Sequence, residues 1–469
     1  MSRSTRNTPQ AGVVDVVVIG GGPSGVCAAL AFAQRGARVL LLDAAPSAAA
    51  RLAGEWMHPP GAHILATLGL GTLTKPAYPT GCGLAVLPDD DSAPISLPYP
   101  DGARGFGLEH RVLVQALREA AISQAGVSYV AGGRARAMEA GRLTYSDPTT
   151  GEQTVHVGRV VGADGRTSIA RQWLGLPARF GSQVSAMAGI TLEGADLPFE
   201  GYGHVLLGGP GPALVYRIGA DRLRACLDIP LCAPRGPSAA RYLWESYQGA
   251  FPPQLRAGFR SALLERPVAW AANRVAHRAC YGREDLALIG DAVGHTHPLT
   301  AVGMTLGLLD ANCLSRAPTF TAYRRERAAD SIVSEWLASA MYEVFTRRDA
   351  GSLALRHGMY RLWRTDPQAR DDTMRLLTTA DVDPGHFRRV FLEVMALATV
   401  DLLPPTRAVA SWTRATAGLV GLGRWASWLA SRVLPGLIRF GSLGAWQQLE
   451  RRGARVAARQ RLGLRHQSR

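Results

Sequence analysis

Val14-Asp15-Val16-Val17-Val18-Ile19-Gly20-Gly21-Gly22-Pro23-Ser24-Gly25 is the stretch that decides the fold. Its first half is apolar and β-branched, as a strand buried on both faces of a parallel sheet requires. Gly20, Gly22 and Gly25 make a GxGxxG turn. The first glycine permits the tight turn, the second lets backbone approach a pyrophosphate, and the third lets helix and strand pack closely. An alanine-rich helical stretch runs on to about Arg35, and its unpaired N-terminal N–H groups and positive dipole end suit phosphate. A second strand, Ala37 to Leu42, ends in Asp43, where an acid can accept hydrogen bonds from ribose hydroxyls. Strand, turn, helix, strand and acid in register predict a dinucleotide site, without separating FAD from NAD.

Two later motifs make that separation. Gly162-Ala163-Asp164-Gly165-Arg166-Thr167-Ser168 follows the strand-like Val160-Val161; alone it reads equally well as an ordinary Asp-Gly turn. Leu286-Ala287-Leu288-Ile289-Gly290-Asp291-Ala292 then leads into His297-Pro298-Leu299-Thr300 and Gly303-Met304-Thr305. A strand ending in Gly-Asp puts a carboxylate at the ligand-binding edge of a parallel sheet, where Asp291 can accept from a ribityl hydroxyl. The apolar segment from about Val302 to Leu314 is helix-compatible, and its N-terminus suits the pyrimidine edge of a reduced flavin. Pro298 fixes the backbone just before it, close to where oxygen chemistry would occur. The order GxGxxG, GADG, GD…P…G resembles that of flavoprotein monooxygenases of the aromatic-hydroxylase type. No second GxGxxG for NAD(P)H is present.

Residues 51–71, beginning Arg51-Leu52-Ala53-Gly54-Glu55-Trp56-Met57-His58, resemble the segment that follows the fingerprint in squalene epoxidases. The run from Gly290-Asp291 to Gly303-Met304-Thr305 does so too. Weaker similarity lies at Leu97-Pro98-Tyr99-Pro100, His110-Arg111, Pro212 to Tyr216 and Met341 to Phe345. The resemblance implies an FAD site with Asp43 as the ribose acid, and Arg51 and Arg111 toward the flavin phosphates and ring. It places Asp291 and Met304 around the isoalloxazine, with Gly20, Gly22, Gly25 and Asp164 completing the cofactor set and Pro298, Gly303 and Met304 beside the reacting atoms. There are departures: Cys82 stands where that family has a Tyr, and Ala301-Val302-Gly303 replaces Gly-Gly-Gly. Both positions would border flavin or substrate, so another alkene or a prenylated ring would fit as well as squalene.

Composition bounds the rest. The 469 residues suit two globular domains plus an appendage, being 47% hydrophobic and 19% charged. A mean hydropathy of +0.01 is high for so arginine-rich a chain and hints at an exposed apolar surface. The net charge of +15 does not imply nucleic acid: Lys75 is the only lysine, seven arginines fall in residues 451–469, and no nucleic-acid module appears. The cysteines show no CxxC or metal-finger spacing, which fits a reduced, cytoplasmic protein with no metal. His295 and His297 lack a third ligand nearby. Residues 1–12 lack the apolar core of a signal peptide.

The expected fold class is α/β: a Rossmann-like FAD-binding domain, an antiparallel β-sheet substrate domain and a helical C-terminal region. Residues 1–12 are expected to be a disordered tail. Residues 13–76, 105–179 and 271–330 should form the FAD-binding domain, 77–104 and 180–270 the substrate domain, and 331–469 the helical region. Trp412, Trp425, Trp428 and Trp446 there alternate with Arg414, Arg424, Arg432 and Arg439, and Pro435 breaks the run. No uncharged span is long enough to cross a membrane; Trp with Arg on apolar helices suits peripheral or monotopic attachment, aided by the basic tail.

The expected activity is insertion of one oxygen atom from O2 into an alkene of a hydrophobic isoprenoid-like or prenylated substrate, through a flavin C4a-hydroperoxide. Electrons would come from NAD(P)H, directly or through a separate flavin reductase. A prenyl double-bond reductase and a non-enzymatic flavin-binding partner stay open on sequence. A flavin halogenase is a third alternative, against which stand the lack of a WxWxIP segment and the unmatched context of Lys75.

Overall fold

A computed structural model describes residues 13–47, 52–74, 79–402 and 409–439. The strand Val13–Ile19 lies in the middle of a mostly parallel sheet, parallel to Gly151–Gly162 on one side and Val39–Asp43 on the other. Val127–Ala131 adds in parallel beyond Val39–Asp43, and Leu286–Leu288 beyond Gly151–Gly162. Val16, Val17 and Val18 are all buried, because sheet neighbours and helices enclose both faces. The early half of Gly151–Gly162 pairs antiparallel with Arg142–Asp147, which pairs in turn with Arg134–Glu139.

The helix Pro23–Ala33 is buried from Gly25 to its end. Alanines at 28, 29, 31 and 33 keep it slim enough to pack on both the sheet and the helix Gly303–Arg316. A Cβ added to Gly307 would lie 2.0 Å from Ser24 Oγ, and one on Gly290 2.7 Å from it. Ser24 is thus wedged between two glycines of the third motif, pressing the first and third motifs together.

The second sheet runs, in spatial order, Ala269–Val275, Ser182–Glu193, Arg222–Ile229, Ala213–Arg217, Tyr202–Leu206, Gly83–Leu87, Ile95–Pro98. It is antiparallel apart from one pair, Tyr202–Leu206 with Gly83–Leu87, which is parallel. Those two strands come from chain segments far apart rather than from one hairpin, so nothing forces them to run oppositely. Side chains alternate along Arg222–Ile229. Leu223, Ala225 and Leu227 pack with Leu243, Tyr247 and Phe259 of the helices Ala239–Tyr247 and Pro253–Glu265. Arg224, Cys226 and Asp228 point the other way, toward the carboxyl edge of the first sheet.

Helices Ile332–Thr346, Ala350–Thr365, Pro367–Thr378, Pro384–Leu402 and Val409–Arg439 form the C-terminal region. Asp349 and Asp366 cap two of them by accepting from Ser352 N–H and Gln368 N–H. Gly351 and Gly421 let two helices cross with backbones in contact, since a Cβ on Gly421 would lie 2.6 Å from Gly351 Cα. Arginines tie the bundle to acids and main chain of residues 89–101: Arg356 to Asp89, Arg364 to Ser92 and Ala93, and Arg375 to Asp101 at 2.8 Å. Trp425 is buried and donates to Ser352 Oγ at 3.2 Å, and Trp428 stacks on Phe391. Both therefore face the bundle interior, unlike the interfacial placement that their spacing with arginine suggested. Among the described residues, no helix is long and apolar enough to cross a membrane. Residues 1–12 and 440–469, with Trp446 and the basic tail, lie outside the described residues, as do the side chains of Trp412, Arg414, Pro435 and Arg439.

Candidate flavin site

Ile19, Gly162 and Leu288 end neighbouring parallel strands at one edge, which brings the three motifs side by side. A Cβ on Gly20 would lie 2.4 Å from Ala163 O, and one on Gly25 only 1.9 Å from Gly20 O. Those glycines serve chain packing. Gly22 differs: a Cβ there would meet no protein atom within 4 Å. The helix starting at Pro23 has no side-chain cap, so its first N–H groups turn toward open space. An open glycine beside an uncapped helix start fits the pyrophosphate of FAD.

The acids fit the rest of that cofactor. Asp43 ends its strand buried; Oδ2 pairs with Arg118 at 2.5 Å and accepts from Tyr129 O–H at 2.9 Å. Among the described residues, Oδ1 accepts from Ala45 N–H, at 3.1 Å, and a carboxylate oxygen has a second lone pair for a ribose hydroxyl. Burial raises the Tyr129 pKa, keeping it a donor. Asp164 caps the helix Ile169–Trp173 through Oδ2, while its Oδ1 is buried with no hydrogen-bond partner. Burial pushes the Asp164 pKa up. Asp291 sits in the turn Gly290–Ala292 and pairs with Arg166 at 3.0 Å, joining the second and third motifs.

Arg111 is exposed at the start of the helix His110–Ser123, 3.7 Å from Glu109. That acid offsets a cation at a helix N-terminus. Arg51 lies outside the described residues. Pro298 opens a single 3-10 turn, Pro298–Thr300; Ala301 follows with φ +52°, and the helix Gly303–Arg316 begins with no side-chain cap. A Cβ on Gly303 would meet nothing within 4 Å, whereas the Met304 side chain packs on Gly54.

Side chains that sequence reading missed hold these turns in place. Asp310, wholly buried, accepts from Gly290 N–H at 2.8 Å, Arg327 Nε at 2.9 Å and Arg278 Nη2. Arg118 is one: it follows Val114 by four residues and precedes Ala121 by three, a helical spacing that places it on the buried face. On the facing sheet, Arg224 grips Glu55 with two bonds of 2.8 and 2.9 Å. Asp228 accepts from Ser185 Oγ, from Asn273 Nδ2 at 2.8 Å and from His297 Nε2 at 3.2 Å. His297 stacks on Tyr342 with ring centres 4.0 Å apart, while His295 packs edge-on against Phe180. Around this row lies an apolar wall that includes Met187, Leu214, Tyr216, Leu299 and Met341. The alternation of Arg224, Cys226 and Asp228 was the legible signal for a polar row. Cys82 is half-buried at the far side of the sheet, against Gly201.

Comparison with known proteins bears on the family and the fold. A model of the squalene epoxidase family matches residues 160–414, and one of FAD-dependent oxidoreductases matches residues 15–49. The squalene epoxidase of Candida albicans is 26% identical over 440 residues, covering 78% of this chain and 86% of its own. The squalene monooxygenase of Rattus norvegicus is 25% identical over 411 residues, covering 82% and 71%. Among solved structures, a probable FAD-dependent monooxygenase of Pseudomonas aeruginosa superposes with a TM-score of 0.60 at 21% identity, covering 71% of this chain and 97% of its own.

Proposed function

Since the chain belongs to the squalene epoxidase family and is an FAD-dependent monooxygenase, we propose that it inserts one oxygen atom from O2 into a carbon–carbon double bond of an apolar isoprenoid-like or prenylated substrate. The observation that supports this reading is the convergence of the three glycine-bearing turns on one sheet edge, with Leu299 of the third in a single buried apolar cluster with Met187, Leu214, Tyr216 and Met341.

In this reading Gly22 and the helix start behind it hold the pyrophosphate. Asp43 and Asp291 accept from ribose and ribityl hydroxyls, and the free Asp164 Oδ1 is available to a donor of the same ligand. Arg51 and Arg111 are the residues assigned to its phosphates and ring. Pro298, Gly303 and Met304 border the reacting ring. FAD bound there supplies the two-electron chemistry that activates O2. The apolar wall excludes water from the substrate side. No protein group is needed as acid or base. Electrons come from NAD(P)H, directly or through a separate flavin reductase.

Peripheral membrane attachment is supported by exposed Leu392, Val400, Leu419 and Val420 on the last two described helices. The test of the activity is turnover of squalene and a panel of prenylated aromatics under ¹⁸O2. One ¹⁸O atom per product is expected, and Asp291→Ala should abolish both bound FAD and product. Turnover without O2 would sink the reading.

A further inference from the structure

The segment that leads into the helix Gly303–Arg316 is held by its main chain. Ala301 adopts a left-handed conformation, disfavoured for any residue with a Cβ. Thr300, just before it, has a buried hydroxyl with no hydrogen-bond partner, so the fixed group is its carbonyl. That carbonyl accepts from His58 Nε2 at 2.8 Å, across 242 positions of sequence.

His58 is wholly buried, and its surroundings allow one arrangement of protons. A carbonyl oxygen only accepts, so Nε2 carries the hydrogen. Nδ1 of the neutral ring then accepts from Tyr99 O–H at 2.7 Å, and the Tyr99 oxygen accepts from Trp56 Nε1 at 2.9 Å. The chain Trp56, Tyr99, His58, Thr300 runs in a single direction of donation and ends at the turn. The loop carrying His58 also supplies Gly54, against which Met304 packs. Both sides of the uncapped helix start are thereby bracketed by one loop.

We propose that His58 is a positioning residue: by holding the Thr300 carbonyl it fixes the orientation of the free N-terminal amides of the helix Gly303–Arg316, and so sets how strongly the protein favours reduced over oxidised FAD. The inference rests on the placement of the flavin ring at that helix start in the function proposed above. His58 touches neither flavin nor substrate.

The experiment uses the full chain reconstituted with FAD, free of substrate, and measures the flavin reduction potential by equilibration with a reference dye. Thermal unfolding is recorded in parallel. His58→Ala should retain bound FAD, with its preference for reduced over oxidised flavin about tenfold weaker, as for loss of one buried hydrogen bond that holds an electrostatic group. His58→Gln, which keeps an N–H donor, should recover most of the wild-type potential. Tyr99→Phe should shift it in the same direction by less. A lowered unfolding temperature with an unchanged potential in His58→Ala would make His58 a packing residue and overturn the inference. If His58→Ala does not fold, wild-type potentials in both His58→Gln and Tyr99→Phe, with Tyr99→Phe no different from His58→Gln, overturn it. Failure of the wild type to take up FAD would instead overturn the functional reading beneath it.

Discussion

At the nucleotide edge, position is set mainly by main chain: Gly20 against Ala163, Gly25 against Gly20, and Ser24 between Gly290 and Gly307. On the sheet that faces it, position is set by polar side chains distant in sequence: Glu55 with Arg224, Asn273 with Asp228, and Asp228 with His297. The two differ in what they demand of folding. A glycine contact needs only the absence of a side chain, and desolvates no charge. A buried ion pair has to recover the desolvation of both partners through geometry, and removal of one partner strands the other. The nucleotide edge therefore closes without desolvating charge, whereas the facing sheet depends on buried polar pairs with good geometry.

The sharpest way to break that contrast is Asp310, a side-chain device within the nucleotide half. It holds Gly290 N–H and neutralises Arg278 and Arg327, both buried. Asp310→Ala should cost about 3–5 kcal/mol in chemical denaturation, the usual consequence of stranding buried charge. A loss under about 1 kcal/mol would leave the nucleotide edge a main-chain construction throughout.

The next effect belongs to the loop that holds the Thr300 carbonyl. Burial pushes the His58 imidazole from its ordinary 6.5 down to about 4. The unfolded chain thus takes up this proton first as pH falls. Stability should drop between pH 6.5 and about 4, with no further change from this group below that. The full contribution is about 3 kcal/mol. His204, also lowered to about 4 by burial, titrates in the same window; comparing wild type with His58→Gln isolates the His58 part. Parallel stability curves for the two proteins across that window would remove His58 from the account.

Two neighbouring glycines sharpen the main-chain side. Gly25→Ala puts a methyl into Gly20 O and should destabilise the apoprotein by about 2 kcal/mol. Gly22→Ala meets no protein atom. Its apoprotein should unfold like wild type within about 0.5 kcal/mol, while FAD affinity measured by fluorescence quenching falls about tenfold. Equal losses of stability at both positions would mean that the open side of the turn is not a ligand cradle.

The same contrast decides what sequence could reveal. The fingerprint, the GADG turn and the GD turn each follow an apolar strand-like run, so strand, turn and edge were readable together. Arg118, Asp310 and His58 were not. Each is an isolated polar residue whose partner lies across the fold: Asp43, Arg278 and Thr300 carry no local mark that assigns them. Arg111 was legible only as a cation opening a helix; the structure sets Glu109 3.7 Å from it, a neighbour that the helix pattern did not announce. The parallel pair of strands in the second sheet was hidden for a similar reason, since alternation reports burial but not strand direction.

The smallest predicted effects concern the last two described helices, where sequence suggested one role for all tryptophans. Trp425 is buried and bonded to Ser352, whereas Leu419 and Val420 on the same helix are exposed. Trp425→Phe should cost about 1 kcal/mol of stability, the value of one side-chain hydrogen bond, and leave co-sedimentation with anionic phospholipid vesicles unchanged. Leu419→Ser with Val420→Ser should do the reverse. It should leave unfolding unchanged and weaken vesicle binding several-fold, since about 0.5 kcal/mol per apolar side chain is the scale of shallow partial burial in a lipid interface. If Trp425→Phe releases the protein from vesicles while the double variant does not, the bundle must open on the membrane and turn its aromatic interior outward. In that case the division between a packed face and a lipid-facing one fails.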